Sequence, residues 1–132
     1  MATVKSVMHE ATFIDSDTPV NSVARIMRDK SIGSVLLKLG EHEYGVVTER
    51  DLIYKVTANN LDPKKTTARD IMTELRYTLD GNASIKKASE IFNKHRIRRL
   101  PIMEAGEIVG VVTSRDVAKA SIFQSMKSRR RG

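Results

Sequence analysis

The strongest constraint on what this chain can fold into is that it is written twice. Gly45-Val46-Val47-Thr48-Glu49-Arg50-Asp51 recurs as Gly110-Val111-Val112-Thr113-Ser114-Arg115-Asp116, 65 residues further on. The same offset places Val20 on Ile85, Ile26 on Ile91, Ile32 on Ile97 and Leu37 on Ile102. Val7-Met8 matches Ile71-Met72 at an offset of 64, so one residue is gained before the first long helix. Such self-similarity means one supersecondary unit built twice. A unit this short buries only roughly 60% of its unfolded surface by itself. Two units are therefore expected to pack sheet against sheet about a pseudo-twofold axis and to leave two related crevices.

Each repeat reads βαββα after a short lead-in, an α/β (α+β) fold. The lead-ins, Val4 to Met8 and Ala68 to Met72, are compatible with a turn of helix. Thr12 to Ile14 and Tyr77 to Leu79 read as brief strands ending in turn formers. Val20, Val23, Ile26 and Met27 are spaced three and four apart, predicting an amphipathic helix over Pro19 to Asp29, with Thr18 as N-cap and Pro19 at the first helical position. Ile85, Ala88, Ile91 and Phe92 repeat the pattern over Ser84 to His95, capped by Ser84 or Asn82. Strands are predicted at 34–39 and 44–47, and again at 100–103 and 108–112. The β-branched runs in the second strand of each pair suggest burial on both faces. Helices at 50–58 and 115–126 close the units, and 59–66, with Asp62-Pro63, forms the linker. The expected division is 1–65, 66–126 and a flexible basic tail at 127–132.

Composition removes whole classes of function. The chain has no cysteine, which excludes disulfides, thiolate zinc sites, iron–sulfur clusters and a cysteine nucleophile. No apolar run approaches the ~20 residues that span a bilayer, and the N-terminus has no apolar core of a signal peptide. A cytoplasmic setting without membrane is expected. His9, His42 and His95 lack ligand spacing, so no metal is expected. No nucleophile elbow or ordered triad is present, and an enzyme is not expected. The net charge of +7 is unevenly placed: residues 1–65 hold 9 basic and 9 acidic side chains, and the remainder hold 14 and 7. The excess collects at Lys94 to Arg99 and Lys127 to Arg131, which suits an anionic partner.

A strand that turns directly into a helix presents free N–H groups and a positive dipole end, a ready anion site. Thr48 and Thr113 add hydroxyls there. Asp51 and Asp116, one turn in, offer bidentate acceptors for the two hydroxyls of a ribose, and Gly45 and Gly110 would let a flat ring approach the backbone. The same spacing, Thr-x-x-Asp, is also that of a helix capping box. Both readings stand on the residues alone.

The pattern Gly-hydrophobic-hydrophobic-Thr-x-Arg-Asp resembles the signature of CBS domains. So do Arg98-Arg99-Leu100-Pro101-Ile102 and the openings Val7-Met8 and Ile71-Met72. The resemblance covers about residues 4–122 as a tandem pair, a Bateman module, similar to stand-alone archaeal-type CBS proteins. It leaves no room for an attached catalytic domain. It implies a non-catalytic regulatory module with no obligatory cofactor. Such a module would bind an adenosine-containing ligand (AMP, ADP, ATP or S-adenosylmethionine) in the crevices and signal to a protein partner. Thr48, Arg50, Asp51, Thr113, Arg115 and Asp116 are the implied ligand residues, with Asp on ribose and Thr on phosphate or ribose. In such repeats basic residues at the places of Arg98 and Arg99 touch phosphates; the first repeat has uncharged Gly33 and Ser34 there. The other reading leaves these arginines in solvent or paired across a dimer. Ile14, Leu79, Ile32 and Ile97 match positions that flank the adenine ring, although each also suits a core. A homodimer through the flanking helices, carrying Leu52, Ile53, Val56, Val117 and Ile122, is implied too. The alternative function is nucleic-acid binding by the basic second half and tail.

Overall fold

A computed structural model describes residues 2–131. The strands are β1 (Phe13–Ile14), β2 (Ser34–Lys38), β3 (Tyr44–Thr48), β4 (Thr73–Glu74), β5 (Leu79–Asp80), β6 (Arg99–Glu104) and β7 (Glu107–Thr113). The helices are α1 (Val20–Lys30), α2 (Glu49–Asp51, continued by a π-helical stretch Leu52–Thr57), α3 (Ala68–Ile71), α4 (Ile85–His95) and α5 (Ser114–Arg131). A 3-10 turn occupies Val4–Ser6. The fold is the mixed α+β arrangement that the repeat predicts.

The packing units are offset from the sequence repeats. One unit is Thr12–Arg76; the other joins the segment through Ala11 to everything from Tyr77 onward. The expected boundaries at 65/66 therefore mark the written repeat, whereas each lead-in packs with the other repeat's sheet and helices. The reason is edge pairing. In the first unit the strands run β1-β2-β3-β4, with β1 parallel to β2 and the other pairs antiparallel. Its edge strand β4 comes from the second repeat's lead-in and pairs Val46 with Thr73. In the second unit the order is β5-β6-β7, and His9 of the first lead-in forms an antiparallel bridge with Val111 at the matching edge.

Each unit has its own core. Val20, Val23, Met27, Val35, Leu37, Val47, Val56, Ala68 and Ile71 fill the first. Val4, Leu79, Ile85, Ala88, Phe92, Leu100, Ile102, Val112 and Val117 fill the second. Burial alternates along β3, and towards the end of β7, instead of covering both faces. The continuous buried runs are Val35-Leu36-Leu37 and Leu100-Pro101-Ile102.

Local details differ where tertiary contacts win. Pro19, not Thr18, occupies the N-cap of α1 and offers no side-chain cap, while the Thr18 carbonyl accepts from Ala68 N at 2.9 Å. Ser84 caps α4, accepting from Lys87 N at 3.0 Å. The helices end alike, with Ser31 and Arg96 both left-handed at φ 53°. Helix α5 runs on past Met126 through Arg131, so the backbone of the expected tail is helical that far; Gly132 lies outside the described residues.

Candidate functional site

The repeated motif builds the same corner in both units. Ser34 pairs with Thr48 across β2 and β3, and Arg99 pairs with Thr113 across β6 and β7. The turn into the helix is held by Glu49 N donating to Gly33 O at 3.1 Å, and by Ser114 N donating to Arg98 O at 2.8 Å. Thr48 and Thr113 each accept from the backbone N–H of the aspartate three residues on, at 3.3 and 3.2 Å. At Thr48 the exchange is reciprocal, with Thr48 N donating to Asp51 Oδ2 at 2.8 Å, a complete capping box. The capping reading of Thr-x-x-Asp is thus realised.

The two carboxylates differ in how they are held. Asp51 is buried, at 8% exposure. Its Oδ2 takes the Thr48 amide and hydroxyl, and its Oδ1 takes Lys55 Nζ at 3.0 Å. That ammonium also donates to Ile71 O at 2.8 Å and Thr73 Oγ1 at 3.2 Å, so it ties the helix to the lead-in. Lys55 follows Asp51 by four residues and lies within the π-helical stretch, where Val56 beside it is buried. Position 120, the equivalent of 55, is alanine. Asp116 is held instead from the lead-in itself. His9 Nε2 lies 2.7 Å from Asp116 Oδ2, which also accepts from Thr113 Oγ1 at 2.5 Å. Its side chain keeps 24% exposure, and that of His9 keeps 65%. Burial pushes the Asp116 carboxyl up, but the hydrogen bonds from Thr113 and His9, together with the His9 charge, outweigh it and hold the group below its ordinary value.

The other expected site residues fall into two groups. Arg98 is exposed and Arg99 half-buried, both beside the second corner. Arg50 and Arg115 are exposed; Arg50 lies 4.7 Å over the Tyr54 ring. Leu79 belongs to the second core, Ile97 packs against it, and Ile14 and Ile32 pack against the first core. The glycines do not open space for a ring. A Cβ at Gly45 would collide with Met72 Sδ, and one at Gly110 would meet Met8 Sδ at 2.5 Å and His9 O at 2.9 Å. They admit the lead-in methionines, and this corrects the ring-approach expectation. An open hollow of about 550 Å³ in the first unit is lined by residues including Met27, Arg28, Ile32, Glu49, Leu52 and Ile53. It lies along α1 and α2 and does not reach the Asp51 carboxylate. Sequence reading passed over Lys55 and His9. For Lys55 the signal was the Asp51/Lys55 spacing of four; for His9 it was only its place just after Met8.

Comparison with known proteins agrees with this geometry. The CBS domain model matches residues 4–58 and 68–122. Hypoxic response protein 1 of Mycobacterium tuberculosis is 30% identical over 122 residues, covering 90% of this chain and 85% of that protein. A hexameric CBS-CP12 protein from bloom-forming cyanobacteria has a TM-score of 0.84 at 24% identity, covering 95% of this chain and 74% of that one. The CBS domain pair of protein MJ0100, solved with 5′-methylthioadenosine and S-adenosyl-L-methionine, has a TM-score of 0.80 at 22% identity, covering 94% and 98%. The chain belongs to the CBS domain family, as a tandem pair with one repeat on either side of residues 59–67. No helix among the described residues is long and apolar enough to cross a membrane, and no cluster of three or more metal-ligating side chains occurs among them.

Proposed function

We propose that this chain is a regulatory module that binds an adenosine-containing ligand, AMP, ADP, ATP or S-adenosylmethionine, at the strand-to-helix corner of its repeated motif. The observation that carries the reading is the second corner. There a part-exposed carboxylate, Asp116, stands one helical turn from Thr113, with Arg99 opposite Thr113 and Arg98 beside it. A carboxylate can accept from both hydroxyls of a ribose, and guanidinium forks suit phosphate. The CBS family membership and the adenosine ligands of MJ0100 support the same class. Ligand binding then biases a protein partner through its differential affinity for two states. Exposed Ile53 and Tyr54 on α2 suit assembly with a second copy. The basic second half serves phosphate binding in this reading, and the nucleic-acid alternative finds no support in the family.

Calorimetry of the full chain with AMP, ADP, ATP and S-adenosylmethionine tests the proposal. At least one ligand is expected to bind, with affinity falling about tenfold or more in Asp116→Ala, the loss of a charge-assisted contact. Absence of heat from all four at millimolar concentration overturns it.

A further inference from the structure

We infer that the second unit alone is the ligand-competent one, and that His9 determines its affinity by competing for the carboxylate oxygen the ligand must use. The inference rests on the ligand reading above and adds which corner works and what controls it.

The two corners are equivalent by sequence and unequal by construction. At Asp51 both oxygens are taken, and the ammonium on Oδ1 is itself satisfied by three acceptors, Asp51, Ile71 and Thr73. A ligand there would have to reach a side chain only 10% exposed and displace Lys55 or the Thr48 amide from it. At Asp116 the partners are the Thr113 hydroxyl of its own turn and one imidazole, largely in solvent, on a segment whose backbone is fastened independently. His9 N donates to Val111 O at 2.8 Å, and Val111 N donates to His9 O at 2.9 Å. The ring can therefore turn away while its strand stays in place. A ribose arriving at Asp116 replaces one donor with another and leaves His9 hydrated. Arg98 and Arg99 give this corner the phosphate partners that Gly33 and Ser34 cannot supply.

Calorimetry with ATP and with S-adenosylmethionine, on the parent, His9→Ala and His9→Gln, tests the inference. His9→Gln keeps a hydrogen-bond donor, and His9→Ala removes it. The expected result is one site per chain, with affinity about threefold or more higher in His9→Ala than in the parent and a smaller gain in His9→Gln. Two equivalent sites per chain, or affinity in His9→Ala no higher than in the parent, overturns the inference while leaving the ligand reading intact. No heat from either ligand removes that reading and the inference with it.

Discussion

A threonine and an aspartate one turn apart cap a helix in each repeat and, in the proposed reading, also meet a ligand, and the residues around them decide which job dominates. Asp51 is a cap completed by a cation. Asp116 is a cap whose carboxylate still reaches solvent. The difference is one of exposure: the Asp51 side chain is 10% exposed beside Lys55, and that of Asp116 is 24% exposed beside a largely solvated His9. Asp116 also links the site to acid stability. Its carboxyl is held below the ordinary value, so the folded state binds that proton less readily than the unfolded chain does. The resulting stabilisation is full above the unfolded carboxylate range, and it is lost as pH falls through the depressed folded value. Urea denaturation at pH 6 and near pH 3 is expected to show the parent losing more stability than Asp116→Asn over this interval. Equal losses would deny Asp116 any part in it. The cap was legible in the sequence because capping is local and Thr-x-x-Asp states it outright. Of the holders of the carboxylate, Lys55 is signalled by its spacing of four from Asp51, whereas His9 acts across more than a hundred residues of chain and leaves no local mark.

At the scale of elements, the amphipathic helices and buried strands followed from periodicity, since three-and-four spacing and β-branched runs name their own geometry. The lead-ins did not. Nothing in Val7-Met8 or Ile71-Met72 says which of two near-identical sheets receives it. Their evidence was displaced onto Gly45 and Gly110, glycines that read as ligand-facing but accommodate Met72 and Met8. This pairing makes a quantitative expectation. Alanine at Gly45 would press on a flexible thioether, which can shift. Alanine at Gly110 would meet the thioether and also the His9 carbonyl, which cannot shift without breaking the bridge to Val111. Overpacking of this kind costs about 1–3 kcal/mol. In thermal or urea denaturation Gly110→Ala is expected at the upper end of that range and Gly45→Ala at or below the lower end. The reverse order would mean that the lead-ins do not seat on these glycines.

For the whole molecule, duplication supplies two corners, to which our proposal assigns separate tasks. The first unit carries neutral charge around its corner, a sealed carboxylate and a hollow along α1 and α2. The second carries arginines, a part-exposed carboxylate and the His9 contact on it. A regulator needs one such site whose occupancy alters something the protein already holds closed, and the His9 contact is of that kind. The account is tested most directly by a crystal structure of the full chain grown with a saturating adenosine ligand, ATP or S-adenosylmethionine. It predicts ribose hydroxyls within hydrogen-bond reach of Asp116, His9 turned from that carboxylate, and the Asp51–Lys55 pair unchanged. A ligand seated at Asp51 with the His9–Asp116 pair intact would contradict it.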